Sequence, residues 1–162
     1  MPSAPAPEPV VSAAVDAPRR RALVVGVGLI GGSIGAALRR SGWYVLGRDL
    51  HAAGLRQAVE LGAIDEAAPG DGPVDVDLTF VATPVGAIAE QVRRALADTS
   101  GLVTDVGSVK APLLGLMADP RYVGGHPMAG SELEGVAGAR ADLFEGRTWV
   151  LTPVEGTDDD AF

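Results

Sequence analysis

Two patterns of apolar residues alternate along this chain. Short, continuous apolar runs are typical of buried strands, and stretches in which apolar residues recur every three or four positions are typical of amphipathic helices. The strand-like runs lie at 21–25, 43–49, 76–82, 102–106, 121–125 and 148–152, with a weaker one at 64–68. The helical patterns lie at 30–38, 50–61, 85–97, 111–117 and 133–144. Strands that alternate with helices predict an α/β domain with a doubly wound, mostly parallel sheet.

The first strand and the first helix are joined by a glycine-rich turn. Gly26, Gly28 and Gly31 have the spacing G-x-G-x-x-G. In that motif the first glycine permits a tight turn, the second lets the backbone approach a pyrophosphate, and the third lets the helix pack closely on the strand. The free N–H groups at the helix start then face the phosphates. The turn therefore predicts a Rossmann-type, dinucleotide-binding domain.

An acidic residue follows at the distance expected for the ribose of a dinucleotide. Asp49 ends the second strand-like run, 21 residues after Gly28. A carboxylate there accepts hydrogen bonds from ribose hydroxyls and repels a 2′-phosphate, by roughly 4 kcal/mol at about 4 Å and an effective dielectric constant near 20. The neighbouring Arg48 is either a solvated charge at the strand end or a partner for a 2′-phosphate. The first alternative is favoured, so the predicted cofactor is NAD.

Composition narrows the class of protein. The chain has 162 residues, enough for one domain with a sizeable core. Its net charge of −8 argues against nucleic-acid binding, which depends on Lys and Arg. There is no cysteine and no histidine cluster, so we expect no disulfide, no metal site and a cytoplasmic location.

The two ends of the chain differ in composition from the middle. Residues 1–18 are rich in proline and alanine, which predicts a disordered tail and not a signal peptide. Residues 19–154 carry the strand and helix patterns and form the predicted dinucleotide-binding domain, and residues 155–162 form an acidic tail. No apolar run reaches the roughly 18–20 residues that span a bilayer, so no membrane contact is expected.

Four polar residues each follow the end of a predicted strand: Asp49, Thr83, Ser108 and His126. Ligands of such sheets bind outside the carboxyl ends of the strands, so these residues are expected to gather along one edge. Thr83 has a second expected role. Threonine followed by proline is typical of a helix start, with the hydroxyl as the cap.

His126 is the strongest candidate for proton transfer. An imidazole is the side chain best suited to proton transfer, and glycines before it and a proline after it hold an open backbone. Ser108 would hydrogen-bond the substrate hydroxyl on which His126 acts or would orient the imidazole ring, or it would cap the helix that follows it. Lys110 would neutralise an anionic ligand, or is simply solvated. Asp105 is a candidate acceptor for a ribose hydroxyl or for a neighbouring group of the site, and His51 is expected at the surface.

Four segments together resemble prephenate dehydrogenase and its arogenate-using relatives. They are GVGLIGGS at 26–33, DVGSVK at 105–110, GHPMAGSE at 125–132 and LFEGRTWVLTP at 143–153. The last three are much more specific than the glycine turn, and the resemblance covers residues 20–153. The family oxidises prephenate with NAD to 4-hydroxyphenylpyruvate and carbon dioxide, in tyrosine biosynthesis.

The resemblance implies a role for each candidate site residue. His126 would hydrogen-bond the C4 hydroxyl of the substrate and polarise it while a hydride passes to the nicotinamide. Ser108 would contact both that hydroxyl and His126, and Thr83 would lie near the ribose on the nicotinamide side. The residues that hold the cofactor would be Gly26, Gly28, Leu29, Ile30, Gly31 and Asp49.

The family continues into an all-helical domain that forms the dimer and supplies basic groups to the substrate pocket. This chain ends without a counterpart, so we expect a truncated catalytic domain, completed by a homodimer or by a helical domain on another chain. Two alternatives stay open: a non-enzymatic NAD-binding fragment, and a related hydroxyacid dehydrogenase with a smaller substrate. The segment at 125–132 counts against the second alternative. The choice between prephenate and arogenate is open.

Overall fold

The computed structural model describes residues 19–116, 118–153 and 157. The tail predicted at 1–18 lies outside the described residues. The same is true of the acidic tail predicted at 155–162, apart from Thr157, and of Met117 at the end of a predicted helix.

Within the described residues, one sheet of seven strands organises the fold. The strands are β1 (Arg21–Val25), β2 (Tyr44–Arg48), β3 (Glu66–Ala67), β4 (Leu78–Val81), β5 (Leu102–Asp105), β6 (Tyr122–Pro127) and β7 (Trp149–Thr152). Their order is β3-β2-β1-β4-β5-β6-β7, parallel from β3 to β6, with β7 antiparallel to β6 at the edge. The predicted α/β class and mostly parallel sheet are confirmed.

Helices pack on both faces of this sheet. The described α-helices are α1 (Leu29–Arg40), α2 (Ala52–Glu60) and α3 (Val85–Asp98), and Ala111–Leu116 and Val136–Gly138 form 3₁₀ segments. Because successive residues of a strand face opposite sides, β1 serves two cores. Leu23 and Val25 pack in the cluster that includes α3, and Val24 packs in the cluster that includes α1 and α2. Burial of each such side chain contributes about 1.5–3 kcal/mol, which holds the helices on the two faces.

Strand β6 continues past its predicted end. Its pairing with β5 reaches Val123, opposite Thr104, whereas its pairing with β7 runs on to Pro127, opposite Trp149. His126 therefore lies within a strand and not after one. The extension comes from β7, whose antiparallel direction the apolar pattern did not indicate.

The partial helix predicted at 133–144 is shorter than expected. Gly135 has a φ of +66°, which a right-handed helix does not accommodate, and only Val136–Gly138 form a 3₁₀ turn. The backbone N–H of Arg140 donates to Oγ of the buried Ser33 in α1, at 2.9 Å. This part of the segment thus bonds to α1, and it continues as turns in which the N–H of Leu143 donates to the carbonyl of Arg140 at 3.2 Å.

None of the helices in 19–116 and 118–153 has the length and apolarity needed to cross a membrane.

Candidate functional site

Two glycines in the turn after β1 are required by packing. Gly26 has a φ of +90°, and a Cβ on it would lie 2.7 Å from the carbonyl carbon of Ala82. A Cβ on Gly31 would lie 1.9 Å from the carbonyl oxygen of Gly26. Both distances are shorter than any van der Waals contact. The turn, the end of β4 and the start of α1 can therefore pack together only without these side chains.

Gly28 lies in a different environment. A Cβ on it would have no neighbour within 4 Å, so packing does not require glycine at this position. The space next to its backbone is open, as close approach by a pyrophosphate would need. The residues present therefore fit a dinucleotide at this turn.

The start of α1 has backbone donors without partners. The first hydrogen bond of this helix runs from the N–H of Gly32 to the carbonyl of Gly28, at 2.8 Å. The amides of Leu29, Ile30 and Gly31 have no acceptor in the described part of the chain. No side chain caps the helix, and its first turn has no acidic residue. The positive end of the helix dipole is left uncompensated, which suits an anionic group.

Asp49 is held beside the glycine turn. Its Oδ2 accepts the N–H of Val27 at 2.8 Å, and its Oδ1 accepts the N–H of His51 at 2.9 Å. A carboxylate can accept about four hydrogen bonds, so lone pairs remain for further donors. The acid is therefore oriented by the turn and is still able to accept. His51 is exposed, as expected.

The structure corrects both sequence hypotheses for Arg48. Its Nη1 lies 2.8 Å from Oδ2 of Asp98, its Nε donates to the carbonyl of Pro69 at 2.9 Å, and its Nη2 donates to the carbonyl of Gly72 at 3.1 Å. Its side chain is only 11% exposed. Arg48 is thus neither solvated nor free to meet a phosphate, because its guanidinium is bound to Asp98 and to two main-chain carbonyls.

Thr83 follows β4 but does not cap α3. Pro84 occupies the N-cap position, and no side chain bonds to the helix start. Oγ1 of Thr83 is buried and has no hydrogen-bond partner among the residues described. The backbone N of Thr83 would lie 2.9 Å from a Cβ on Gly26. An unsatisfied hydroxyl therefore borders the glycine turn.

His126 lies at the same edge of the sheet, two strands further along. The parallel register of β5 and β6 continues from Thr104 and Val123, and this places His126 level with the turn that follows β5. The ring is partly exposed, and its Nδ1 lies 3.4 Å from the carbonyl oxygen of Val106. The main chain just after β5 thus orients the ring, and the residue is partly open to solvent.

Ser108 lies in that turn after β5. Its side chain is exposed and forms no hydrogen bond within the described ranges. The alternative that it caps the next helix is therefore not observed, and the 3₁₀ segment begins only at Ala111.

Asp105 and Lys110 lie beneath this turn, inside the protein. Asp105 is fully buried, and its two oxygens accept from four protein donors. It is therefore not accessible to a ribose. The Lys110 ammonium is neither solvated nor open to a ligand, because it donates to Asp105 at 2.7 Å and to the carbonyls of Gly107 and Gly125 at 2.6 Å each.

The turns that follow four neighbouring strands, and His126 within a fifth strand, thus meet at one edge of the sheet. The edge carries the glycine turn, Asp49 and Thr83 after β1, β2 and β4, and Ser108 and His126 at β5 and β6. Sequence reasoning did not single out Tyr122, whose hydroxyl donates to Asp105 at 2.7 Å. Burial, followed by this hydrogen bond, raises the pKa of Tyr122 above its ordinary value, so the hydroxyl stays a donor.

The amino-acid sequence matches the family described as prephenate dehydrogenase, nucleotide-binding domain, over residues 34–162. The chain belongs to this family. It is 36% identical over 151 residues to the prephenate dehydrogenase of Bacillus subtilis (strain 168), a match that covers 86% of this chain and 41% of that protein.

Solved structures of the family have the same fold. The prephenate dehydrogenase from A. aeolicus, in complex with hydroxyphenyl propionate and NAD+, aligns with a TM-score of 0.79 and 34% identity over 90% of this chain and 55% of that one. Synechocystis arogenate dehydrogenase aligns with a TM-score of 0.76 and 34% identity over 86% of this chain and 52% of that one. The family and fold expected from the four segments are confirmed. The chain spans about two fifths of the length of the curated relatives it matches.

Proposed function

We propose that residues 19–154 are the NAD-binding domain of a prephenate dehydrogenase, acting in the cytoplasm in tyrosine biosynthesis. The reaction converts prephenate and NAD+ to 4-hydroxyphenylpyruvate, carbon dioxide and NADH. One observation carries the proposal: in a chain of this family, the open backbone at Gly28 and the partly exposed ring of His126 lie along one edge of the sheet.

The cofactor would lie across the glycine turn. The unbonded amides of Leu29, Ile30 and Gly31 would donate to the pyrophosphate, and Gly28 would leave room for it. Asp49 would accept from the adenosine ribose, and Thr83 would lie on the nicotinamide side. When bound, NAD+ supplies the acceptor for the hydride that leaves C4 of the substrate.

The same residues favour NAD over NADP. A 2′-phosphate would lie against the Asp49 carboxylate, which costs roughly 4 kcal/mol at about 4 Å and an effective dielectric constant near 20. Arg48 does not offset this repulsion, since its guanidinium is bound to Asp98 and to two carbonyls.

His126 and Ser108 would act on the C4 hydroxyl. With its proton on Nδ1, the ring donates to the carbonyl of Val106, and Nε2 keeps a lone pair for the hydroxyl proton. As the C4 hydride leaves, the bond from the ring to its carboxylate breaks, and the electron pair of that bond completes the aromatic ring. The ring oxygen then recovers its proton, and the product leaves as the phenol. Ser108 would hold the same hydroxyl beside the imidazole.

A second function is favoured by one specific observation. Prephenate has two carboxylates, and each charge-assisted hydrogen bond to one contributes about 1.5–3 kcal/mol. Lys110 is the residue expected to neutralise an anionic ligand, but its ammonium is bound to three protein oxygens and is not available to either carboxylate. A domain that binds NAD without turnover is therefore the alternative.

The basic groups for the substrate would come from a helical domain, on another chain or in a homodimer. An apolar groove of about 380 Å³ supports such a partner, because one face of the sheet beside α1 is left open there. Its lining includes Phe80, Val123, Phe144 and Leu151. An apolar surface of this kind is typical of a place where another element packs.

The deciding experiment is an assay of NADH formation by the purified chain. It is supplied with NAD+ and prephenate, with NAD+ and arogenate, or with NAD+ alone, and each mixture is repeated with NADP+. Prephenate-dependent NADH formation supports the proposal, and a preference for arogenate assigns the amino-acid substrate. NADH binding in a titration, without turnover on either substrate, favours the second function.

A further inference from the structure

A buried polar network lies under the turn that carries Ser108. Its centre is Asp105, whose side chain is 0% exposed. Oδ2 accepts from Lys110 Nζ at 2.7 Å and from the N–H of Gly107 at 2.8 Å. Oδ1 accepts from the Tyr122 hydroxyl at 2.7 Å and from the N–H of Gly125 at 3.3 Å. The carboxylate therefore bonds to the main chain that follows β5, at Gly107, and to the main chain of β6, at Gly125.

The ammonium of Lys110 closes the network. Its three donors are used by Asp105 and by the carbonyls of Gly107 and Gly125, so it bonds to the same two glycines as the carboxylate. Its side chain is 17% exposed. A buried charge pair of this kind, with every donor and acceptor in use, is rigid, because any displacement leaves a buried polar group unpaired.

Each glycine that the network holds is next to a candidate catalytic residue. Gly107 precedes Ser108, and Gly125 precedes His126. Gly125 also has no room to move toward its neighbours, because a Cβ on it would lie 2.6 Å from the carbonyl oxygen of Asp105 and 2.9 Å from Nε1 of Trp149. The backbone that carries Ser108 and His126 is thus held in place by Asp105, Lys110 and Tyr122, which we call the clamp.

We propose that Asp105, Lys110 and Tyr122 are positioning residues, which hold Ser108 and His126 at a fixed separation and contact neither substrate nor cofactor. The proposal rests on the proposed function. It assigns Lys110 to the orientation of the reacting pair and not to a substrate carboxylate. Misplacement of a reacting group by about 1 Å costs about 100-fold in rate, so loss of the clamp reduces turnover more than binding.

The test compares Lys110→Met with a matched control, Arg121→Met. Arg121 lies just before the other end of β6 and also donates to one carboxylate and two carbonyls: Asp119 at 2.9 Å, Thr99 at 2.8 Å and Leu96 at 2.9 Å. With prephenate and NAD+, Lys110→Met is expected to lower kcat by about 30-fold or more, with KM within about threefold and the NADH Kd within about twofold. Arg121→Met is expected to leave kcat within about threefold.

Three results would overturn the proposal. They are an unchanged kcat in folded Lys110→Met, a rise in KM with kcat retained, and an equal loss of kcat in Arg121→Met. Where Lys110→Met does not fold, Tyr122→Phe decides, because it removes only the hydroxyl that donates to Asp105. We expect its kcat to fall about fivefold or more at constant KM, and an unaltered kcat would refute the clamp.

A spectroscopic readout separates this proposal from the proposed function. The chain has two histidines, so His51→Gln leaves one imidazole signal in the NMR spectrum. In that background, Lys110→Met and Tyr122→Phe are expected to shift the ring signal of His126, and Arg121→Met is expected to leave it in place. An unshifted signal in the first two variants would overturn the clamp even in a chain without turnover. A wild-type chain that does not turn over, with the shifts observed, would contradict only the proposed function.

Discussion

The two halves of the sheet edge are built in opposite ways. Around β1, β2 and β4, the site consists of main-chain groups without partners and of open space at Gly28. Around β5 and β6, the side chains of Asp105, Lys110 and Tyr122 bond to one another and to main chain, and Ser108 and His126 reach outward. The first half is arranged to receive a ligand that brings its own charge. The second half is arranged to hold two side chains still.

Substitutions in the two halves should therefore have different effects. In the nucleotide half, substitutions at open positions should change binding and leave the fold intact. In the other half, exposed groups should affect chemistry, and the buried network should affect chemistry through geometry. Four predictions test this division, in order of decreasing expected change in the free energy of unfolding, activation or binding.

The largest expected effect is on stability, and it should distinguish Gly31 from Gly28 in the glycine turn. Gly31→Ala places a Cβ 1.9 Å from the carbonyl oxygen of Gly26, and should lower the free energy of unfolding by about 3 kcal/mol in a urea titration. Gly28→Ala meets no atom within 4 Å, and should keep the parent stability but weaken NADH binding about tenfold, because its methyl group enters the proposed pyrophosphate position. Equal stability of the two variants would contradict the packing argument.

His126→Asn tests the other half. An amide replaces the ring and removes the group that would take up the hydroxyl proton, so kcat should fall about 100-fold or more. NADH affinity, measured by titration of the same sample, should stay within about twofold. A variant with parental turnover would remove His126 from the proposed role.

Asp49→Asn should weaken NADH binding about tenfold, because the amide loses acceptor capacity toward the ribose. It should also narrow the preference for NAD over NADP, since the repulsion of a 2′-phosphate is removed. Calorimetric titration with both cofactors measures the two effects. An unaltered ratio of the two dissociation constants would contradict the assigned contact.

Arg48→Met is the control for Asp49→Asn, because Arg48 is the preceding residue. The substitution breaks the ion pair with Asp98 and two hydrogen bonds to carbonyls, and should reduce the free energy of unfolding by about 1–2 kcal/mol. Cofactor preference should not change, because the guanidinium is held by Asp98 and two carbonyls and does not offset the charge of Asp49. A shift toward or away from NADP would mean that Arg48 reaches the cofactor after all.

The sequence predicted the nucleotide half better than the other half, for a physical reason. Turn, helix start and acid lie within one β-α-β unit, so their roles follow from spacing. The bond between Tyr122 and Asp105 joins residues 17 positions apart on neighbouring strands, and no local pattern encodes it. Arg48 was misjudged for the same reason, because its partner Asp98 is 50 positions away.

Local sterics and periodicity control those features of the protein that can be predicted from the sequence alone. They include the alternation of strands and helices, the positive φ of Gly26, and the amide donors at the start of α1. Tertiary structure decided which polar side chains are free. Lys110 and Ser108 are close in the sequence. The ammonium of Lys110 donates to three protein oxygens, whereas the side chain of Ser108 is exposed. Burial makes an unpaired charge costly, and only the packing of β5 against β6 determines which groups are near enough to pair.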